Sequence, residues 1–269
     1  MGRSTSLEDS IRYFAKNFLL PDCHVYDRES QPHIMNQLSI FTTILAALVT
    51  LALLFALYVF RNMFIPSQGK RIGRYPNPTK ALLVMDIQES SNGGKSAVTP
   101  LPATTPLGKM IESVNRLITS FDQEGLEVAY VRQVFSSNII TRIHGGRILA
   151  GRMEPRICRW VKVINNNDFA KNRTDAFSSR KLEQFLIDHQ VDEIFLVGLD
   201  AAFCVYYTAL GALQRGYRVT VVTDAVMTGR DMEHVLRRYQ QKGITVLNSQ
   251  EVIMAVNGTV FLCTNCVQG

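Results

Sequence analysis

The stretch EIFLVGLDAAFCVYYTALGALQRGYRVTVVT, Glu193 to Thr223, reads as strand, turn, helix and strand. EIFLVG (Glu193–Gly198) is an apolar run too short for a helix and rich in residues that suit a buried strand. After the turn LDAAF, residues 203–215 take helical spacing, and Tyr217–Thr223 (YRVTVVT) resumes the strand pattern. Two buried strands joined through a helix run parallel. Toward the carboxyl end the pattern continues with a helix over 229–242 and a strand at Ile244–Leu247. Toward the amino end it shows a helix over 178–190 and a strand at Leu126–Val131. Before these come a helix over 106–124, through Leu107, Met110, Ile111, Val114, Leu117, Ile118 and Phe121, and the strand ALLVMD (Ala81–Asp86). This alternation predicts an α/β fold: three layers, α/β/α and Rossmann-like, around a mainly parallel sheet.

Ahead of that domain lies a segment of another kind. Ile40–Phe60, IFTTILAALVTLALLFALYVF, is 21 residues without a charge, Pro, Gly, Asn or Gln. At about 1.5 Å per residue it spans a hydrocarbon core of roughly 30 Å. A cleaved signal peptide is disfavoured, because the run starts late and no small-x-small site follows it. The domain organisation is therefore an amino-terminal tail (1–37), a transmembrane helix (38–60), a basic linker (61–79), an α/β domain (80–256) and a carboxyl-terminal tail (257–269). In the first tail Leu7, Ile11, Phe14 and Phe18, with Ser6 as N-cap, predict a short amphipathic helix.

Charge supports the same division. The net +6 of the 269 residues is concentrated in residues 61–79, where Arg61, Lys70, Arg71 and Arg74 meet no acid. The rest is nearly balanced, which excludes a basic nucleic-acid face and predicts no nucleic-acid partner. The basic flank on the carboxyl side of the apolar run places residues 61–269 in the cytoplasm and the tail outside, as a single-pass protein. Five cysteines without a dense framework suit a reducing compartment.

In parallel sheets, ligands sit beyond the carboxyl ends of the strands. Asp86 ends the first strand. Cys204 opens a helix just past EIFLVG, and Lys171 lies in NDFAKNRTDAF ahead of the helix leading into that strand. A thiol at a helix amino terminus, with an ammonium nearby, is favoured as thiolate, and a carboxylate is able to accept its proton. These are the parts of a cysteine nucleophile that attacks a carbonyl carbon.

The ordered set Asp86-x-Gln88, Lys171-x5-Phe177 and GLDAAFCVYYTALGALQRGYRVTVVTDAV, with the later His234-x8-Gly243, resembles the isochorismatase-like cysteine hydrolase superfamily over roughly residues 80–254. The resemblance implies an Asp86–Lys171–Cys204 catalytic triad. It also implies a cis peptide at Leu199–Asp200 that turns the backbone amides of Asp200 and Cys204 toward an oxyanion, and it implies a homo-oligomer. Nicotinamidases of this superfamily carry an Asp-x-His metal cluster. The matching stretch here, YVRQVFSSNIITRIHGG, holds only His144, so no metal or other cofactor is expected and nicotinamide is disfavoured. True isochorismate hydrolases lack the nucleophilic cysteine. The expected activity is hydrolysis of a C–N bond in a small amide, ureido or carbamoyl compound through a thioester. A membrane-tethered scaffold or sensor without turnover is the alternative.

Gln88, Arg132 and His144 are candidate substrate contacts, with Gln88 equally suited to pinning the loop after the first strand. Arg142, Arg147, Arg152, Arg156, Arg159 and Lys162, against Glu154 alone, form either an anion site or a set of ion pairs. Cys263 and Cys266 lack the second half of a zinc site, the final Cys-Val-Gln-Gly is a poor prenylation box, and Asn257-Gly-Thr is a glycosylation triplet.

Overall fold

The computed structural model describes residues 31–89, 104–134 and 156–258. The chain divides into two compact units, Met1–Leu57 and Tyr58–Gly269. The described part of the first is one helix, α1 (Gln31–Phe64), which ends within the second. Its Ser39–Arg61 portion has a mean hydropathy of 2.6 and is long and apolar enough to cross a membrane. The threonine hydroxyls that interrupt it are satisfied within the helix. Thr42 and Thr43 donate to the Ser39 carbonyl at 2.9 and 2.7 Å, and Thr50 donates to that of Ala46 at 2.8 Å. Such back-bonding gives each of these hydroxyls an acceptor without a partner from outside the helix.

The second unit carries a six-stranded sheet in which every pairing is parallel. Its strands are β1 (Thr79–Met85), β2 (Glu127–Gln133), β3 (Asp168–Lys171), β4 (Val191–Leu199), β5 (Arg218–Met227) and β6 (Thr245–Leu247). The order across the sheet is β3-β2-β1-β4-β5-β6. The chain thus builds outward from β1 in one direction, then returns to lay β4 on its other side. The carboxyl ends of β1 and β4 flank this reversal, the position at which sheets of this kind bind ligands because the connections diverge to opposite faces.

Alternation along the central strands divides the core. Ala81, Leu83 and Met85 pack with α3 (Arg180–Asp188), α4 (Cys204–Gln214) and α5 (Met232–Gln241), through residues such as Leu182, Leu186, Ala209, Val235 and Tyr239. Leu82 and Val84 face α2 (Pro106–Gln123) and α6 (Ser249–Val256) on the other side, through Val114, Leu117, Phe121 and Val252. Helices therefore cover both faces. Two regular elements differ from the sequence pattern. β3 is a four-residue edge strand, too short to show a period, and α6 follows β6 directly with an Asn248/Glu251 capping box.

Gly198, opposite Met85 in the β1–β4 pairing, has φ +109°. A Cβ there would lie 2.1 Å from the Met85 carbonyl oxygen, so only glycine lets β4 close on the end of β1. Gly198→Ala is expected to cost about 2 kcal/mol or more, read as a fall in Tm of the detergent-solubilised protein. An unchanged melting curve would contradict this close approach.

Candidate active site

Each candidate reacting group owes its place to a strand end. Asp86 follows β1, takes φ +52°, and donates its backbone N–H to the Val131 carbonyl at 2.8 Å. Aspartate tolerates this left-handed conformation better than bulky residues do. Lys171 is the last residue of β3, opposite Gln133 at the end of β2. Cys204 is the first residue of α4, beyond the turn that follows β4.

The structure brings these three together. The Lys171 ammonium lies 2.9 Å from Asp86 Oδ2 and donates to Cys204 Sγ at 3.3 Å. It also donates to Gln133 Oε1 at 2.6 Å and to the carbonyls of Arg173 and Thr174 at 3.2 and 3.3 Å. The Lys171 side chain is fully buried and that of Asp86 is 10% exposed, so the pair meets where water screens little. The Leu199–Asp200 peptide is cis. In the turn, the amides of Ala201, Ala202, Phe203 and Val205 all donate to protein oxygens. Among the described residues the amides of Asp200 and Cys204 have no such acceptor, which leaves two donors at the head of α4.

The electrostatics set burial against the helix terminus and the lysine. Burial, followed by the neighbouring Asp86 charge, pushes the Cys204 thiol up to about 11, against the pull of Lys171. Burial also raises the Asp86 carboxyl above its ordinary range, with Lys171 the chief opposing influence. The helix terminus and the lysine are present as expected, but desolvation outweighs them. Burial thus weighs against the anionic sulfur and makes the adjacent carboxylate a stronger base than an exposed one.

The remaining candidates are placed differently. Both ends of the Gln88 side-chain amide engage Gln133: Nε2 donates to its carbonyl at 3.2 Å and Oε1 accepts its N–H at 3.0 Å. Of its two readings, the pin on the loop after β1 is the one these contacts describe. Arg132 alternates with Gln133 on β2, so it leaves the opposite face of the sheet, where its Nε donates to both Asp168 carboxylate oxygens at 2.7 and 2.8 Å. Gln133, on the other face, is the neighbour in β2 that meets Lys171. His144, Arg142, Arg147, Arg152, Glu154, Cys263, Cys266 and the helix of the first tail lie outside the described residues. Of the basic run, Arg159 pairs with Glu89 at 3.2 Å. Gln133 went unremarked in the sequence; a polar residue at the end of an apolar strand, next in the sheet to the strand of Asp86, was the available signal.

Among the described residues no three His, Cys, Asp or Glu side chains converge to hold a metal. The single histidine of residues 130–146 does not supply the donor set of the nicotinamidase cluster.

Residues 80–251 match the model of the Isochorismatase domain. The nicotinamidase of Escherichia coli (strain K12) is 36% identical over 69 residues, which are 24% of this chain and 32% of that protein. The chain thus matches about a third of that relative's length. The N-carbamoylsarcosine amidase of Thermoplasma acidophilum superposes with a TM-score of 0.51 at 27% identity, over 64% of this chain and 96% of that one. A cysteine hydrolase from Pseudomonas syringae pv. phaseolicola 1448A superposes with a TM-score of 0.57 over 72% of this chain and 100% of its own. At 16% identity it speaks to the fold alone.

Proposed function

The chain belongs to the isochorismatase family, and from that premise we propose that it is a cysteine hydrolase, anchored by α1 in a membrane, that cleaves the C–N bond of a small amide, ureido or carbamoyl compound. The observation that carries this reading is the Lys171 ammonium in contact with both Asp86, at 2.9 Å, and Cys204, at 3.3 Å. Similarity to a nicotinamidase and to an N-carbamoylsarcosine amidase supports C–N hydrolysis. The missing histidine cluster turns the choice of substrate away from nicotinamide.

The mechanism follows from the protonation states. Asp86 takes the Cys204 proton as the sulfur attacks the substrate carbonyl, so no free thiolate has to accumulate beforehand. The tetrahedral oxyanion accepts from the Asp200 and Cys204 amides. Protonated Asp86 gives its proton to the departing nitrogen, the C–N bond breaks, and a thioester remains. Asp86 then deprotonates a water that attacks the thioester; the sulfur leaves and recovers its proton. Lys171 holds the charge of whichever group is anionic at each stage, sulfur or carboxylate. The basic flank after α1 puts this domain in the cytoplasm, with the tail outside.

The test is ammonia release from a panel of small amides, ureas and carbamoyl compounds, using the full-length chain in detergent. Turnover by at least one class supports the reading; none across the panel favours the scaffold. The pH profile of the active compound is a second test. Asp86 must be ionised to act, and burial raises its pKa, so kcat/KM should fall with decreasing pH at a midpoint above the ordinary carboxylate value of about 4. On the alkaline side activity should persist until the thiol ionises at about 11, when the proton destined for the leaving nitrogen is lost. An acid limb at or below the ordinary carboxylate value would remove Asp86 from the role of base.

A further inference from the structure

In the second unit the basic linker, whose first residues form the end of α1, is bound to the loop that follows Lys171. Two of the partners of the Lys171 ammonium are main-chain carbonyls of that loop, at Arg173 and Thr174. The shape of the loop therefore sets where the ammonium sits relative to Cys204 and Asp86.

Three contacts fix that shape from residues 61–72. The Arg173 guanidinium donates to the carbonyls of Arg61 and Ile65, at 3.2 and 3.0 Å, and so closes the last turn of α1. Asp175, only 1% exposed, accepts at Oδ2 from the Ser67 N–H at 2.7 Å and from the Ser67 hydroxyl. Its Oδ1 caps the 3₁₀ turn Ala176–Ser178 through the Phe177 N–H at 2.9 Å. Ser67 is held from its other side by Arg215 at the end of α4, whose guanidinium donates to the Ser67 carbonyl at 2.7 Å, and Ile72 N–H donates to the Arg215 carbonyl at 2.8 Å. Two further contacts reach the helix that bears the thiol. The Ala176 N–H donates to Thr208 Oγ1 at 2.9 Å, one turn beyond Cys204, and the Phe64 ring meets the edge of Tyr207 at 6.1 Å.

We propose that residues 61–72 are a working part of the active site rather than a tether, and that Ser67, Arg173 and Asp175 are positioning residues acting on Lys171 through its loop. The inference rests on the reading of Asp86, Lys171 and Cys204 as the reacting groups. The physical reason is the cost of a buried carboxylate. Among the described residues Ser67 supplies two donors to Asp175, beside the Phe177 N–H. Without them that charge is left in a desolvated site whose easiest relief is movement of the loop. A fragment begun at residue 70 would discard Ser67 and the end of α1 together.

The experiment compares Arg173→Ala and Asp175→Asn with the unsubstituted full-length chain in detergent micelles. The second substitution keeps an oxygen for the Phe177 N–H but sets an NH₂ group against the Ser67 donors. The first readout is the rate of Cys204 alkylation by iodoacetamide against pH, followed by mass spectrometry of the Cys204 peptide; the second is kcat against KM for ammonia release. With Lys171 loosened the sulfur anion loses its partner, so alkylation at pH near 8 should slow by about fivefold and its profile should move to higher pH. kcat should fall more than KM rises, with far-UV circular dichroism preserved. Folded variants with an unchanged alkylation profile and unchanged kcat would overturn the proposal and make the segment a tether. If Asp175→Asn does not fold, Ser67→Ala, which removes one donor, is judged by the same two readouts. Failure of the underlying reading is separable: it appears as a Cys204→Ala chain that still turns over, whatever the positioning variants do.

Discussion

Cys204→Ala will leave the full-length protein folded and lower ammonia release by at least about a thousandfold, the scale at which loss of a covalent nucleophile is felt. The residue sits at the first position of α4 with its side chain only partly buried, so removing the sulfur leaves a small gap and costs about 1 kcal/mol or less. A large loss of turnover with an intact melting curve is the signature of a reacting group and not of a packing residue. Activity retained within about tenfold would mean that the oxyanion donors and the carboxylate act on water directly, and the thioester would have to be given up. Cys158 is an internal control: it is 7% exposed and sits in the core on the opposite face, so Cys158→Ala should touch stability and not turnover.

Lys171→Met carries the largest expected effect on stability. It removes the cation from a buried ion pair, leaving Asp86 beside a sulfur with little water to solvate it, and it strips the donor from Gln133 Oε1 and two loop carbonyls. Breaking one side of a buried pair costs about 3–5 kcal/mol. Adding Asp86→Asn to Lys171→Met should restore a good part of that loss, because the second change removes the orphaned charge. Turnover should be lost in both single variants and in the double. Thermal unfolding of the four proteins closes the cycle. If the double variant is as unstable as the sum of the singles, the two side chains are not coupled and the contact at 2.9 Å has been misread.

Much of this was legible without coordinates because it depends on neighbours in sequence. The alternation of short apolar runs with helical spacing from Ala81 to Leu247 reports burial residue by residue, and it implies the layers and the parallel strands. A thiol placed at the start of a helix, and an aspartate at the end of a strand, are local facts of the same kind. The apolar run of 21 residues from Ile40 to Phe60 likewise carries its own length and lack of charge.

Other features had no local signature. Nothing in DFAK marks a strand, since four residues at a sheet edge show no period; only pairing with β2 makes it one. Gln88 and Arg132 sit within a few residues of Asp86 or of its neighbours in the sheet, yet one clamps Gln133 and the other turns to the opposite face. Ser67 lies in the stretch read as a basic linker, and its partner is 108 residues away.

The sequence by itself thus determined the layers, the long apolar segment and the chemical types at the strand ends, since periodicity and composition act over a few residues. Only the tertiary structure decided that Asp86, Lys171 and Cys204 share one contact, because that depends on the order in which β3, β2, β1 and β4 lie side by side. The tertiary structure also sets the direction in which the thiol is biased, upward by burial, because the balance between a helix terminus, a cation and a carboxylate depends on how far all of them are withdrawn from water.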